Sequence, residues 1–600
     1  MSKKVKFLSM LVTAVLLLWV GYDMQQLTDS SGFWAYRPLL LLALLTFFIT
    51  LVRSNFFYSS PWRIRWTSLT TLSGILLYLG FPTMPLTPLI FVAFVPLLLV
   101  EHEISRIEEK PFWKIALFSY HTFLVWNITS TFWVSNSSLG GGIFANFVNA
   151  ALMTIPFMLY SFTKRYLKPN LHAWAFISFW IAYEKLDQYW ELTWTWLTLG
   201  NTFAQYPSWA QWYEYTGVFG GSLWILLLNV IIFGLVRDHK LWNLTWQTLR
   251  LPILLFLVPL ILSLGMYATH TDKGVDQNVL VIQPNFEPHY QKFTIPASTQ
   301  FRKMVDQIKS KLDDDTDYVI MPETVLRNVE ISTKANTGYV KELSRQFSKY
   351  PDLKIVSGAS AYFKSIDSLA IPRRTRRTSF SRDAPIYYES FNAALQLSNN
   401  IDTLQFYKKS LLVPGTEIFP YSSLFFFMEG FINSMGGTVA GNGIQAERSV
   451  FWNEDSTLAV APVICYESIY GEYCTEYIRN GANAIFIVTN DGWWDDTPGY
   501  KQHLKFASLR AIETRRSIAR SANTGSSAYI NQRGDILEAT NYEEDAVLDS
   551  SIKFNNEITF YAVWGDMIAR IAILISALLF FNALVHKLTG KKNRVHHNIE

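Results

Sequence analysis

Two cysteines in 600 residues leave no room for a disulfide framework or a cysteine-rich zinc site. Charge is also sparse: Asp, Glu, Lys and Arg make up 17% of the chain, and the net charge of +4 is too small for its size to mean much. Few of these charges fall within the long apolar runs. That counts against a transporter, which uses intramembrane charges to handle ions or substrates. The first apolar run follows Lys3, Lys4 and Lys6, but "LLLWVGYDMQQ" lacks a small-x-small cleavage site, so it reads as a retained helix rather than a signal peptide.

What the chain has in quantity is apolar surface. It is 50% hydrophobic and 16% aromatic, with a mean hydropathy of +0.14. That balance suits a membrane part joined to a water-facing part. Runs long enough to cross a hydrocarbon core fall near 5–20, 37–52, 67–82, 86–101, 114–133, 143–163, 171–187, 217–236 and 251–269, with a last one at 566–588. Arg53, Arg63 and Arg65, then Arg106, Lys110 and Lys114, then Lys164, Arg165 and Lys168, then Arg237, Lys240 and Arg250 occupy alternate connections. By the positive-inside bias these connections are cytoplasmic, which puts the long polar segment outside and returns the basic tail inside. The expected division is two N-terminal helices (1–66), a helical bundle (67–273), an extracytoplasmic domain (274–556), and a last helix with its tail (557–600).

Within 274–556 short apolar runs alternate with amphipathic stretches, the pattern of an α/β domain. "QNVLVIQPN", "DYVIMPE", "LKIVSGAS", "NAALQLSNN", "LQFYKKSLLV", "TLAVAPVICYE" and "NAIFIVTND" read as strands, the second stopped by Pro322. "MVDQIKSKLDDD" and "QHLKFASLRAIETRRS" read as helices. "ANTGSSAYINQRGDILEA" reads as a hairpin turning at Gln532–Asp535. Polar clusters stand at three strand ends: Glu323 in "MPET", Lys409 and Glu417 in "KKSLLVPGTE", and Cys465 and Glu467 in "CYES". Each has an ordinary structural explanation taken alone. Together they supply a thiol nucleophile, a carboxylate base and a cation for an oxyanion.

The order "MPE", "YKKSLLVPGTE", "VICYE" resembles the nitrilase, or carbon–nitrogen hydrolase, superfamily. With many helices before that domain and one after it, the chain is similar to the apolipoprotein N-acyltransferase family. Further matching stretches are "GFPTMPLTPLIFVAFVPLL", "FNAALQL", "TNDGWWDDTPGYKQHLKFASLRAIETRRSIARSANTG" and "TFYAVWGD". The resemblance implies an α-β-β-α sandwich with Glu323 as base, Lys409 (not Lys408) as the triad lysine and Cys465 as nucleophile. Glu417, Tyr466, Glu467 and Phe293 would support or position substrate, Phe293 standing where the family carries tryptophan. "VPGTE" departs from the family's usual Val-Pro-Phe-Gly-Glu. The implied reaction moves a fatty acyl chain from a phospholipid, typically phosphatidylethanolamine, through a Cys465 thioester to the α-amine of an S-diacylglyceryl-cysteine apolipoprotein in the bacterial inner membrane. No metal, cofactor or nucleic acid is implied. The rival readings are a membrane-tethered amidase with water as acceptor, and a transporter or scaffold with an inactive domain.

Other segments remain open. Glu417–Gly437 is either a lid dipping into the outer leaflet or a loop packed on the domain. "IPRRTRRTSFSRD" is either a headgroup contact or a solvated hairpin insertion. The tryptophan-rich connection Tyr189–Tyr215 is expected at headgroup depth, lining the lipid entrance. Cys474 reads as structural, and His503 as a packing or hydrogen-bonding residue.

Overall fold

The computed structural model describes residues 3–53, 61–238, 245–331, 338–372, 374–381, 384–398, 404–421 and 441–590. Most of the proposed lid, including its phenylalanine cluster, lies outside the described residues.

The apolar runs form helices because a helix satisfies its own backbone groups where no water can. They span Lys3–Asp29, Arg37–Arg53, Pro61–Gly80, Val95–Ile107, Phe112–Thr131, Leu139–Lys164, His172–Leu186, Val218–Arg237, Trp246–Thr269 and Met567–Leu588. By length and composition, six of the described helical segments suffice to cross a membrane, and Arg37–Val52 is a shorter apolar helix. The helix drawn from Thr67 in the sequence begins six residues earlier, so a boundary at 66 falls inside it. Polar groups join the helices at close approaches: Asn229 donates to the Ile90 carbonyl and accepts from the Phe94 N–H. The Thr122 hydroxyl donates to the Thr70 carbonyl. Between apolar helices such bonds and small residues do the holding.

The domain that follows has two sheets. One is ordered β13-β1-β2-β3-β5-β4, with β6 on β5; the other is ordered β12-β11-β10-β9-β8-β7. The strands are β1 (Val275–Gln283), β2 (Tyr318–Glu330), β3 (Lys354–Ser365), β4 (Arg377–Ser381), β5 (Ala384–Ser398), β6 (Gln405–Lys408), β7 (Phe451–Trp452), β8 (Ala459–Ile464), β9 (Ala484–Thr489), β10 (Ile518–Ala522), β11 (Ala528–Ile530), β12 (Ile536–Ala539) and β13 (Ala546–Phe554). The central strands β8, β9 and β10 are parallel and wholly buried; β8 and β9 therefore read as apolar runs, whereas β10 carries Arg520 and Ser521, bonded inside to Asp491 and the Ile282 carbonyl. The sheets pack face to face, with Tyr318 edge-on to Phe486 at 5.3 Å and the Ser521 hydroxyl bonded to the Ile282 carbonyl at 2.8 Å. Helices Ala297–Lys311 and Gly338–Gln346 cover one outer face, and Gly471–Arg479 and Pro498–Thr514 the other. The result is an α-β-β-α sandwich.

Two strand expectations need correction, and β13 has no counterpart among them. β2 does not stop at Pro322. It runs on to Glu330 after a register shift against β3 between Met321 and Leu326, and the irregularity tolerates the missing proline N–H. The lysine strand ends at Lys408 rather than Val413. β13, which pairs antiparallel with β1 along its full length, has mixed burial, so its sequence carries no continuous apolar run.

The tryptophan-rich connection packs directly beneath the sandwich. It folds into short 3-10 turns, with Trp196 fully buried and its Nε1 donating to Gln502 of the sandwich at 2.7 Å. Trp133, Trp194, Trp196 and Trp494 stack at centroid distances of 4.7 to 6.2 Å. This cluster joins the sandwich to the bundle rather than opening a passage. Where the chain returns to the bundle, the Lys185 ammonium lies 2.5 Å from Glu472 of the sandwich and 2.8 Å from Asp566, just before the last helix.

Candidate active site

Cys465 is the first residue after β8. Its φ of +48° places it in the left-handed region, unusual for a side chain other than glycine, asparagine or aspartate. A short 3-10 turn, Cys465–Ile469, begins there. Such a residue keeps a sparsely populated backbone only where its surroundings over-determine it. Here the Glu467 carboxylate accepts from the N–H of Ile464 (3.0 Å), the N–H of Ser410 (2.7 Å) and the hydroxyls of Tyr407 (2.6 Å) and Tyr473 (2.7 Å). Glu467 therefore clamps the cysteine turn to the lysine loop, and its oxygens are occupied.

Glu323 sits in the irregular part of β2. A side chain at Gly358 of β3 would come within 2.5 Å of the Glu323 Cα, so the bulge depends on that glycine. Lys409 follows β6, its N–H bonded to the Asn392 carbonyl at 2.8 Å. Its ammonium is 3.2 Å from Glu323 Oε1 and 2.9 Å from Glu417 Oε2, and it is 1% exposed. Asn392 Nδ2 donates to both carboxylates, at 2.7 and 2.8 Å. Among the described residues both bonds to Glu323 fall on Oε1, leaving Oε2 for a proton. The departing loop "VPGTE" folds back on itself through Gly415 (φ +87°), and the Val413 N–H donates to Glu417 Oε2 at 2.9 Å.

Burial pushes the Cys465 thiol up, the Glu323 charge adds to this, and Lys409 opposes it. A thiol shifted this way can serve as a nucleophile only with a base to take its proton. Burial alone would lower Lys409, but Glu323 and Glu417 hold it well above the ordinary lysine range, a fixed cation. Burial raises Glu467, against the N–H and hydroxyl groups bonded to it.

Tyr466 is buried, its hydroxyl donating to the Thr193 carbonyl at 3.1 Å. Its N–H belongs to the first turn of a 3-10 segment, where donors lack partners within the helix. Phe293 is not part of this cluster. It is 68% exposed, with the Arg327 guanidinium 5.5 Å from its ring. Lys408 points elsewhere, its ammonium 3.8 Å from the Phe391 ring. Cys474 is buried with Sγ 3.8 Å from the Glu467 carbonyl.

Sequence reasoning missed two groups. One is Asn392, an amide just before the apolar half of β5. The other is Lys292, next to Phe293: buried, with Nζ 2.5 Å from Thr324 Oγ1, and lowered by burial to about 8, against the pull of Glu323. His503 does bond: Nε2 is 3.2 Å from the Cys465 carbonyl and 2.9 Å from Ser468 Oγ, and Nδ1 is 3.0 Å from Asp491. Asp491 also takes Arg520 at 2.5 Å. Among the described residues no group of three or more His, Cys, Asp or Glu is arranged to hold a metal ion.

A cysteine on a left-handed strand end, beside a buried lysine gripped by two glutamates in an α-β-β-α sandwich, defines a carbon–nitrogen hydrolase domain, here set on a helical membrane bundle. Residues 297–559 match the carbon-nitrogen hydrolase family, and residues 73–231 match the family described as apolipoprotein N-acyltransferase N-terminal domain. The chain belongs to the apolipoprotein N-acyltransferase family. It is similar to the apolipoprotein N-acyltransferases of Chlorobaculum tepidum (29% identity, 86% of this chain and 96% of that one) and Geobacter metallireducens (24%, with the same coverage). It is also similar to that of Thermotoga maritima (23%, 88% of this chain and 94% of that one).

Proposed function

We propose that this protein N-acylates apolipoproteins, moving a fatty acyl chain from a phospholipid to the α-amine of an S-diacylglyceryl cysteine by way of a thioester on Cys465. The family and its named relatives support lipoprotein acylation. The observation that carries the lipid part is where the nucleophile sits. The Cys465 turn lies against the bundle, through Tyr466 on the Thr193 carbonyl and Tyr470 on the Thr193 hydroxyl at 2.8 Å. A hydrolase of soluble amides has no use for that placement.

In the first half-reaction Glu323 takes the Cys465 proton, and sulfur attacks the sn-1 ester carbonyl. The C–O bond breaks, and the departing lysophospholipid takes the proton from Glu323. In the second half the acceptor amine attacks the thioester, Glu323 receives its proton, and the C–S bond breaks to return the thiol. Lys409 and the Tyr466 N–H stabilise the oxyanion in both halves. Glu417 and Asn392 hold Lys409 and Glu323 in place. The donor is phosphatidylethanolamine, and the sandwich faces the outer side of the bacterial inner membrane, in keeping with the charge asymmetry of the connections.

Intact-mass measurement after incubation with phosphatidylethanolamine tests this. A fatty-acyl adduct should form on Cys465, discharge quickly with a diacylated lipopeptide and slowly with water. An adduct that water clears just as fast would mark a hydrolase instead.

A further inference from the structure

The two N-terminal helices are joined by a connection that reaches the sandwich. The Ala35 N–H donates to Asp495 Oδ2 at 3.1 Å, and Tyr290 donates to the Gly32 carbonyl at 3.1 Å. Between this connection, the bundle and the sandwich lies a cavity of about 360 Å³. Phe33 and Trp34 come from the connection, Asn136 from the bundle, and His289, Phe293 and Asp495 from the loops beside the active site. Its wall at Phe293 is one residue from Lys292, whose ammonium bonds Thr324 next to Glu323.

Two features say this cavity is short of a positive charge. Asp495 is 3% exposed, yet its hydrogen bonds among the described residues come only from neutral donors, Ala35 N and Asn136 Nδ2 (2.9 Å). The one imidazole nearby, His289, is bonded to Glu287 at 2.7 Å and, against burial, is raised by both Glu287 and Asp495, so a single cation faces two buried carboxylates. A buried carboxylate without a counter-charge is costly. Burial raises the Asp495 pKa, consistent with that shortage. The second feature stands beside Asp495: Asn136 Oδ1, in a side chain 6% exposed, is buried without a partner among the described residues. Around them stand the aromatic residues Phe33, Trp34, Tyr290, Phe293 and Trp493. A lone carboxylate, a free amide oxygen and aromatic walls together make a receptor for an alkylammonium ion.

We propose that this cavity binds a primary ammonium group, held by the Asp495 carboxylate and Asn136 Oδ1 within the aromatic wall that the N-terminal connection completes. The proposal rests on the acyltransferase reading above, which offers two such groups: the ethanolamine headgroup of the donor and the α-amine of the acceptor. It gives the N-terminal helices a role, since without their connection the cavity loses Phe33 and Trp34.

The test uses the full-length enzyme in detergent micelles. Acyl loading of Cys465 is timed with dioleoyl phosphatidylethanolamine and with dioleoyl phosphatidylglycerol, and discharge with a diacylated lipopeptide is measured across concentrations. The variants are Asp495→Asn, which keeps the shape and tolerates the left-handed backbone (φ +53°), and Trp34→Ala, in a separate element. Thermal unfolding reports whether each is folded. If the headgroup is the ligand, the wild type loads the ethanolamine lipid about tenfold faster and the ratio falls towards one in both variants. If the acceptor is the ligand, the ratio stays put and the lipopeptide KM for discharge rises by about the same factor. A wild-type adduct with neither ratio nor KM changed in a folded variant overturns the cavity proposal alone. No wild-type adduct from either lipid overturns the acyltransferase reading and this one with it.

Discussion

The Lys409 ammonium lies 3.2 Å from Glu323 Oε1, and both side chains are almost wholly out of water. Glu417 and Asn392 close the group. Breaking one partner of a buried pair leaves the other uncompensated, so each member of this cluster should respond differently to substitution.

Lys409→Ala should slow Cys465 acylation by about 10²–10³-fold, the cost of one oxyanion partner. Lys408→Ala, which removes only a half-buried cation over Phe391, should leave the rate within a few-fold. Timed intact-mass spectra of the two variants check this. The reverse order would move the triad lysine one position back.

Glu323 and Glu467 separate into chemistry and architecture. Glu323→Gln keeps an acceptor for Lys409 and Asn392, so the fold should melt as before while the adduct disappears. Glu467→Gln turns an amide N–H towards the N–H and hydroxyl donors that now meet a carboxylate. It should cost about 1–3 kcal/mol of stability and slow loading as well. Thermal unfolding and adduct formation on the same samples distinguish the two.

Asn392→Ala removes a donor to both glutamates and should slow loading by about tenfold. Asn392→Asp should be slower still, because a third carboxylate raises the pKa of its neighbours. The pH profile of loading would show the difference. An Asp variant faster than the Ala variant would mean that Asn392 does not act through the carboxylates.

Lys292 sets a pH dependence. Its native pKa of about 8 lies below the ordinary lysine value of 10.5, so above pH 8 the unfolded chain holds a proton that the native one lacks, and stability rises with pH up to about 10.5. Lys292→Met should therefore melt higher than wild type at pH 7, with the gain shrinking across that window. In the wild type, loading should fall as the pH passes 8 and this positive charge beside Glu323 is lost. In Lys292→Met that limb should be absent.

The sequence carried a good deal of this. Long apolar runs must become helices once water is gone, and buried parallel strands such as β8 and β9 tend to read as near-continuous apolar runs. The ten apolar helices and most of the strands were legible for that reason, as were the positions of Lys409 and Cys465 just past strand ends; Glu323 instead lies inside β2. β13 was not, since only three of its nine residues are buried, and neither was the passage of β2 through Pro322, which depends on Gly358 in another strand.

What the chain could not reveal by itself is everything that arises between segments far apart in order. Asn392 becomes a bridge only because β5 lies beside β6 and is separated from β2 by β3 alone in the same sheet. Trp196 is a buried strut because Gln502 meets its indole. Asp495 gains its cavity only when a connection more than four hundred residues earlier folds across it. Local pattern reports the period and polarity of an element. Charge balance and burial depend on which elements meet, and only the assembled molecule decides that.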